Sequence, residues 1–311
     1  MTEQVLAIDI GGTKIAVALV DDTGRISAQL VRPTVPSFDA EEVFAPAAAA
    51  VLEVLAARTP SDHPLQIGIG SAGPLDGPAG TISPVNIPAW RGYPIVQRVR
   101  DTVASATTAP TAIGLAGDGH CFALGEHWLG AGRDVDTMVG LVLSTGVGGG
   151  AVIDNTLFAG STGNAVHLGH ISVNAWGPRC VCGGHGCVEM YARGPALVAA
   201  ARERGWRGGQ DAQALTAAAR AGDPVALEVI EVGMRALAAG IATTATELDV
   251  RTFVLGGGVS RAGDVIFEPL RRHLRDFAVL GYVLDLEVRP AVLENAGLLG
   301  AAALAFSLEE R

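Results

Sequence analysis

The chain contains two matching stretches, V-L-A-I-D-I-G-G-T-K-I-A-V-A-L-V-D (Val5–Asp21) and V-G-L-V-L-S-T-G-V-G-G-G-A-V-I-D (Val139–Asp154). Each is an apolar strand, a glycine-rich turn and a second apolar strand, which predicts two matched β-hairpins. A repeated hairpin indicates a duplicated core with a cleft between its halves. Glycine turns expose backbone N–H groups that bind phosphate oxygens. Two such turns facing one cleft would hold a nucleotide polyphosphate, so the pattern favours phosphoryl transfer.

The composition is that of a folded, soluble protein. The 311 residues suffice for two domains with sizeable cores, and 49% are apolar and 17% charged. A net charge of −10 without a Lys/Arg cluster argues against nucleic acid as a partner. The first residues lack a signal-peptide pattern, and glycines and charges interrupt every apolar run before it reaches membrane-spanning length. We therefore expect a cytoplasmic protein that does not contact a membrane.

Strands and helices are predicted to alternate along the chain, which is typical of α/β layers. Beyond the two hairpins, strands are predicted at 26–32, 65–70, 111–115, 251–255 and 284–290. Helices are predicted at 40–57, 93–107, 118–129, most of 194–248, a segment after 258, and 296–307. The segments 82–94 and 160–189 are predicted to be irregular.

The two glycine turns carry groups suited to magnesium and phosphate. Asp9 ends the first strand, and the turn Gly11-Gly12-Thr13-Lys14 follows. A carboxylate beside a phosphate turn usually holds Mg²⁺ directly or through water, although an aspartate that caps the turn is the alternative. Ser144-Thr145-Gly146 and Gly148-Gly149-Gly150 are predicted to form the second turn, in which the Thr145 hydroxyl and nearby amides would bind the β- or γ-phosphate.

Asp118 begins a predicted helix directly after a predicted strand, where a cleft would open. There it could act as the general base that accepts the proton of a substrate hydroxyl. Aspartate is also a good helix N-cap, and the spacing alone favours the cap.

The pattern H-x9-C-x-C-x4-C, formed by His170, Cys180, Cys182 and Cys187, predicts a structural zinc site. Three thiolates and one imidazole complete a tetrahedral shell and leave no position for a reactive water. Buried thiols are the alternative. Glu189 follows the last ligand by two residues, so zinc would hold it in place as a substrate ligand; a solvated surface glutamate is the other interpretation.

Several motifs together resemble the ROK family of bacterial sugar kinases and repressors. They are D-I-G-G-T-K at residues 9–14, L-G-E-x-W-x-G-A-G at 124–132, S-T-G-V-G-G-G, G-H-I-S-V and C-x-C-G-x-x-G-C-x-E, in that order over essentially the whole chain. The resemblance implies an α/β, two-domain, actin-like and hexokinase-like ATPase fold (ribonuclease H-like) that closes on ATP and a hexose. The small N-terminal domain would comprise residues 1–117 and 298–311, and the large domain with the zinc loop residues 118–297. The family also implies a homodimer.

The same likeness implies roles for individual residues. Asp118 would be the base acting on the sugar 6-hydroxyl, and Trp90 would either close over the sugar or simply pack. The positions expected at MgATP are Asp9, Gly11, Gly12, Thr13, Lys14, Thr145, Gly146, Gly256, Gly257 and Gly258, the last three along the adenosine. The positions expected at the sugar are Gly73, Asn86, Gly117, Asp118, His167, His170 and Glu189, with His170 also on zinc.

Two departures from the family pattern concern the sugar. The family's N-D-A-N is here Gly117-Asp118-Gly119-His120, and its E-x-G-H is here His167-Leu168-Gly169-His170. In the family both missing residues hold the sugar 3-hydroxyl, and leaving it unsatisfied would cost about 1–3 kcal/mol. Neutral His167 can accept from an amine and Gly117 gives space. The chain therefore resembles a kanosamine (3-amino-3-deoxyglucose) kinase of ansamycin antibiotic pathways. His120 would either enter this pocket or face the helix exterior.

Other functions remain open from the sequence. A glucokinase or an N-acetylhexosamine (GlcNAc or ManNAc) kinase is the near alternative. A ROK repressor fits less well, because only eight residues precede Asp9 and the charge is acidic. A non-catalytic sugar sensor fits less well because Asp9 and Asp118 are both present.

Overall fold

The computed structural model describes residues 3–58, 64–107 and 111–308, so residues 309–311 of the expected N-terminal domain lie outside it. The strands are β1 (Gln4–Ile10), β2 (Lys14–Asp21), β3 (Ile26–Pro33), β4 (Leu65–Ser71), β5 (Leu75–Asp76), β6 (Thr81–Ile82), β7 (Thr111–Gly117), β8 (Met138–Leu143), β9 (Val147–Ile153), β10 (Thr156–Phe158), β11 (Thr252–Gly256) and β12 (Glu287–Pro290). The helices are α1 (Ala40–Leu55), α2 (Ile95–Ala104), α3 (Asp118–Leu129), α4 (Glu189–Ala192), α5 (Gly194–Glu203), α6 (Ala212–Arg220), α7 (Pro224–Leu248), α8 (Asp264–Phe277) and α9 (Ala296–Phe306).

The two large sheets repeat one strand plan. Their orders are β3-β2-β1-β4-β7 and β10-β9-β8-β11-β12. In each, three antiparallel strands are followed by two that pair in parallel. The predicted duplication of a hairpin core is therefore confirmed. The small β5–β6 hairpin lies between β4 and β7 along the chain and belongs to neither sheet.

The first hairpin shows why its sequence forms a two-faced sheet. Successive strand residues point to opposite faces. Large side chains such as Ile8 and Leu19 pack on the face that is covered by α1 and α2. Small ones such as Ala7 and Ala18 pack on the other face, with α3 and α9. The alternation of large and small residues brings these two helices close to the sheet.

Glycines bring the layers around α3 and α9 into backbone contact. A Cβ at Gly300 of α9 would lie 1.6 Å from the carbonyl oxygen of Cys121 in α3. A Cβ at Gly125 of α3 would lie 2.2 Å from the carbonyl oxygen of Ala296 in α9. Side chains cannot fit at such distances, so the contact requires glycine.

The Gly148-Gly149-Gly150 run lies in β9 rather than in the second turn, which corrects the sequence prediction. The turn consists of residues 144–146, since Leu143 pairs with Val147. A Cβ at Gly119 of α3 would lie 2.5–2.8 Å from Gly149 backbone atoms, so this strand is glycine-rich because α3 rests on it. The run therefore positions the helix that begins with Asp118.

The segment 82–94 is irregular after β6 ends at Ile82, as predicted. Trp90, in the segment expected to be irregular, is fully buried; its indole N–H donates to Ala40 O (3.0 Å) and its ring stacks on Tyr93 at 4.9 Å. It is a packing residue.

The last strand begins only at Glu287, after a 3₁₀ turn at Gly281–Val283, which is later than the predicted residue 284. No helix in the described part of the chain is long and apolar enough to cross a membrane. The expected domain boundaries stay a prediction.

We expect Gly300→Ala to lower the free energy of unfolding by about 3 kcal/mol, measured by urea denaturation. Alanine favours a helix over glycine by about 1 kcal/mol, so the loss must come from the clash with Cys121 O. Gly281→Ala is the matched control, because nothing lies within 4 Å of its Cβ position. It should change stability by less than about 0.5 kcal/mol. Equal effects of the two substitutions would contradict the packing account.

Candidate active site

Strand topology brings the key carboxylates to one edge of the first sheet. β1, β4 and β7 are parallel, with Asp9 opposite Gly70 and Ser71 opposite Gly117. The carboxyl ends of parallel strands are where α/β proteins place ligands. Asp9 and Asp118 therefore converge although they are far apart in sequence.

Asp118 is the first residue of α3, and Gly117 is the N-cap. The spacing-based preference for Asp118 as the cap is therefore wrong. Its Oδ1 accepts a local bond, from Gly119 N–H at 2.7 Å. Gly117 is the last residue with an extended backbone, so Asp118 is the first residue inside the helix. This leaves the carboxylate exposed to the cleft rather than used for capping.

Both carboxylates have raised pKa values. Burial, and then the charge of Asp118, raise the pKa of Asp9 to about 6, against a smaller opposing effect of Lys14. Burial also raises the pKa of Asp118, partly offset by the Gly119 N–H and the His167 charge. Water reaches the Asp118 side chain, yet enough protein surrounds it to disfavour its charge. Two neighbouring carboxyl groups with raised pKa values are suited to binding a divalent cation or to accepting a proton.

The first turn is closed by Gly11 N–H donating to Lys14 O at 2.9 Å. Thr34, just after β3, stabilises the turn with two hydrogen bonds of 3.0 Å. Its backbone N–H donates to Thr13 O, and its hydroxyl donates to Gly11 O. Asn86, expected at the sugar, lies against this turn: a Cβ at Gly12 would be 1.6 Å from its Nδ2. The structure therefore places Asn86 against the first turn.

The remaining sugar candidates surround Asp118 from the other side. A Cβ at Gly73 would lie 3.8 Å from His167 Cε1. The rings of His167 and His170 stack with centroids 6.2 Å apart. Burial and then His170 lower the pKa of His167, whereas Asp118 and Glu189 oppose the shift. These neighbours form one cluster with Asp118.

Glu189 links this cluster to the second turn. It is 7% exposed, so the interpretation as a solvated surface residue is wrong. A Cβ at Gly146 would lie 3.4 Å from its Oε2. Its Oε1 lies 3.9 Å from Cys180 Sγ. Glu189 therefore lies between the cysteine cluster and the second turn.

The four predicted metal ligands meet at one point. Their donor atoms all lie within 4.8 Å of one another. Cys182 Sγ is 3.7 Å from Cys187 Sγ, and Cys180 Sγ is 3.8 Å from His170 Nδ1. Tetrahedral zinc with bonds of about 2.3 Å to sulfur requires S···S separations of about 3.8 Å. The donor set and its spacing therefore fit zinc, with Nδ1 of His170 as the ligand atom.

A cavity of about 770 Å³ adjoins the second turn. Its walls include Thr145 and Gly258, both expected at the nucleotide. Gly256 and Gly257 instead face the interior, where Cβ atoms would lie 2.6 Å from the Phe122 ring and 2.4 Å from Leu143 O. The sequence analysis missed several polar lining residues, which are Arg202, Gln210, Asp211, Gln213, Thr216, Arg220 and Arg261. Nothing in their spacing distinguishes them from ordinary helix-surface residues.

The loop that leads to His167 is fastened to the β5–β6 hairpin. Asn164 accepts from Leu75 N–H at 3.2 Å and donates to Leu75 O at 2.7 Å. Thr162 O accepts from Gly77 N–H at 3.1 Å. The sequence analysis missed this bridge, because the asparagine pairs with backbone groups 89 positions away.

We expect the purified protein to contain about one zinc ion per chain, and Cys187→Ser to lose most of it, by plasma mass spectrometry. Loss of zinc should release Glu189 and raise the KM for sugar more than that for nucleotide. Cys121→Ala is the control, because Cys121 is buried in α3 and is not a member of the cluster. A zinc-free protein with an unchanged sugar KM would contradict this role.

The chain matches the model of the ROK family over residues 5–307. It is 35% identical to the glucokinase of Thermotoga maritima, over 97% of this chain and 96% of the relative. It is also 35% identical to the N-acetylmannosamine kinase of Salmonella heidelberg, over 96% and 97%.

Two solved structures share the fold. A ROK hexokinase from Thermus thermophilus has a TM-score of 0.82 at 33% identity, with 99% of both chains covered. A ROK family glucokinase from Streptomyces griseus, in complex with glucose and AMPPNP, has a TM-score of 0.78 at 34% identity, with 98% of this chain and 100% of that chain covered. The α/β fold is thus that of the actin-like ATPases, and the chain belongs to the ROK family.

Proposed function

We propose that this protein transfers the γ-phosphoryl group of ATP to the 6-hydroxyl of a hexose. The observation that carries the proposal is that Asp118 and Asp9 stand at the carboxyl ends of parallel strands of one sheet, near enough to act on each other's pKa values. The names of the relatives support the same chemistry, since they include a glucokinase and an N-acetylmannosamine kinase. The Streptomyces griseus glucokinase was solved with a sugar and an ATP analogue together.

In the proposed reaction, Asp118 accepts the proton of the 6-hydroxyl as its oxygen attacks the γ-phosphorus in line. Asp9 would hold Mg²⁺, which would supply positive charge to the phosphates. The turns at Gly11–Lys14 and Thr145–Gly146 donate backbone N–H groups to them. Closure of the cleft excludes water, which would otherwise take the phosphoryl group. Positioning supplies much of the acceleration.

The nucleotide would extend from the turns into the 770 Å³ cavity beside Gly258. Arg202 and Arg220, at the last turns of α5 and α6, would border its base and ribose. Zinc would hold His170 and Glu189 at the sugar, so its role in the proposal is structural. Homodimer formation stays a prediction that sedimentation analysis would test.

Kanosamine is the proposed sugar. Similarity does not select among hexoses, because relatives of two substrate classes are equally identical to this chain. The choice rests on Gly117, which has no side chain, and on His167, whose lowered pKa favours the neutral, hydrogen-bond-accepting imidazole. Both positions adjoin Asp118. His167 would accept a hydrogen bond from a sugar amine. In the family pattern, a glutamate stands at the position of His167 and an asparagine at that of Gly117.

We expect Asp118→Asn to lower kcat by about 10²–10⁴-fold while sugar binding, measured by calorimetry, is retained. In the wild type, kcat/KM should fall as the pH drops through the raised pKa of Asp118, at a midpoint above the ordinary aspartate value of 3.8. kcat/KM falls at low pH because Asp118 must be ionised to act as the base. Asp134→Asn, at an exposed carboxylate paired with Arg289, is the control. Unimpaired turnover of Asp118→Asn would remove this residue from the mechanism.

A panel of kanosamine, glucose, N-acetylglucosamine and N-acetylmannosamine tests the choice of sugar. We expect kanosamine to give the highest kcat/KM, by about 5- to 150-fold over glucose, because an ammonium group presents three donors to the surrounding acceptors and a hydroxyl presents only one. The double variant Gly117→Asn/His167→Glu should shift the preference towards glucose and leave the KM for ATP unchanged. A wild-type preference for glucose would show that the altered pocket does not select an amino sugar.

A further inference from the structure

His120 occupies a fixed, buried position beside Asp118. It lies in the first turn of α3, and 2% of it is exposed. A Cβ at Gly150 of β9 would lie 2.5 Å from its Cα and 2.9 Å from its Cδ2, so the strand holds one face of the residue. The sequence left open whether this side chain faces the pocket or the helix exterior, and the structure shows that it faces inwards.

The two ring nitrogens of His120 have different surroundings. Nε2 lies 3.0 Å from Ala165 O. A carbonyl only accepts, so Nε2 carries the proton and Nδ1 presents a lone pair. Burial lowers the pKa of His120 to about 4, so the ring is neutral at physiological pH. Among the described residues, Nδ1 has no hydrogen-bond partner.

This lone pair lies beside Gly117. A Cβ at that residue would be 3.2 Å from Nδ1. A buried acceptor without a partner costs about 1–3 kcal/mol, so a donor that enters this space gains more than it would in water.

We infer that Nδ1 of His120 accepts a hydrogen bond from the sugar substituent above Gly117 and thereby selects hexoses with a donor on that carbon. The inference rests on the proposed sugar kinase function and adds a specificity residue to it. An ammonium or hydroxyl group satisfies the atom, whereas a deoxy carbon leaves it unpaired. The ring is already fixed by Ala165 and Gly150, so little entropy is lost when the bond forms.

The chain offers a matched pair of substitutions. In His120→Asn, a polar atom remains at the place of Nδ1 and the one at Nε2 is lost. In His120→Gln, a polar atom remains near Nε2 and the one at Nδ1 is lost. A purely structural role through the Ala165 bond would make the asparagine variant the worse of the two. The inference expects the opposite order for substrates.

The readout is kcat/KM for kanosamine, glucose and 3-deoxyglucose, with thermal stability measured alongside. His120→Gln should lower kcat/KM about 5- to 150-fold for the two sugars with a donor and leave 3-deoxyglucose within about threefold. His120→Asn should keep the discrimination, and the KM for ATP should not move. An equal loss for all three sugars in His120→Gln would overturn the inference. If the wild type phosphorylates no hexose, that result contradicts the proposed function on which this inference rests.

A binding measurement covers the case in which the variants do not fold. The ¹⁵N spectrum of the wild-type histidines should show the Nδ1 signal of His120 shifting when kanosamine is added, and not when 3-deoxyglucose is added. Identical spectra with the two sugars would overturn the inference.

Discussion

Close contact between backbones around α3 is the constraint on which the site depends. Gly300 and Gly125 bring α9 against one side of this helix, and the glycines of β9 receive its first turn. Contacts of this kind leave no space for the helix to shift, because protein interiors are packed at crystal-like density. The first residue of α3 is Asp118, so the same contacts fix where its carboxylate stands relative to Asp9. Packing in the core thus sets the geometry of the proposed chemistry.

The opposite wall of the cleft is ordered in another way. The segment between β10 and α4 contains little regular structure, only a 3₁₀ turn at Leu168–His170. Four ligand atoms from one histidine and three cysteines gather it at a single point. Glu189 begins α4 two residues after the last of these ligands. One side of the site is therefore held by helix packing, and the other contains the cluster of His170 and the three cysteines, which His167 adjoins through its stacking on His170.

The sequence predicted those features that follow from local pattern. The alternation of Val5–Asp21 and its repeat predicted both sheets' hairpins, and the spacing of His170 and the cysteines predicted their cluster. Features that depend on partners distant in sequence were missed or misread. The glycines of β9 looked like a turn because α3 was not yet known to lie on them, and Asp118 looked like a cap. The arginines around the cavity share a site only after α5 and α6 have packed.

The bridge from Asn164 to Leu75 joins the loop before His167 to the β5–β6 hairpin. It consists of part-buried backbone and amide groups, and Leu75 itself belongs to the core that α1 and α2 cover. Each such bond exchanges with water for a net of only about 1 kcal/mol. The loop is therefore anchored to a core residue by bonds that are individually weak, so the position of His167 is sensitive to changes in the small hairpin.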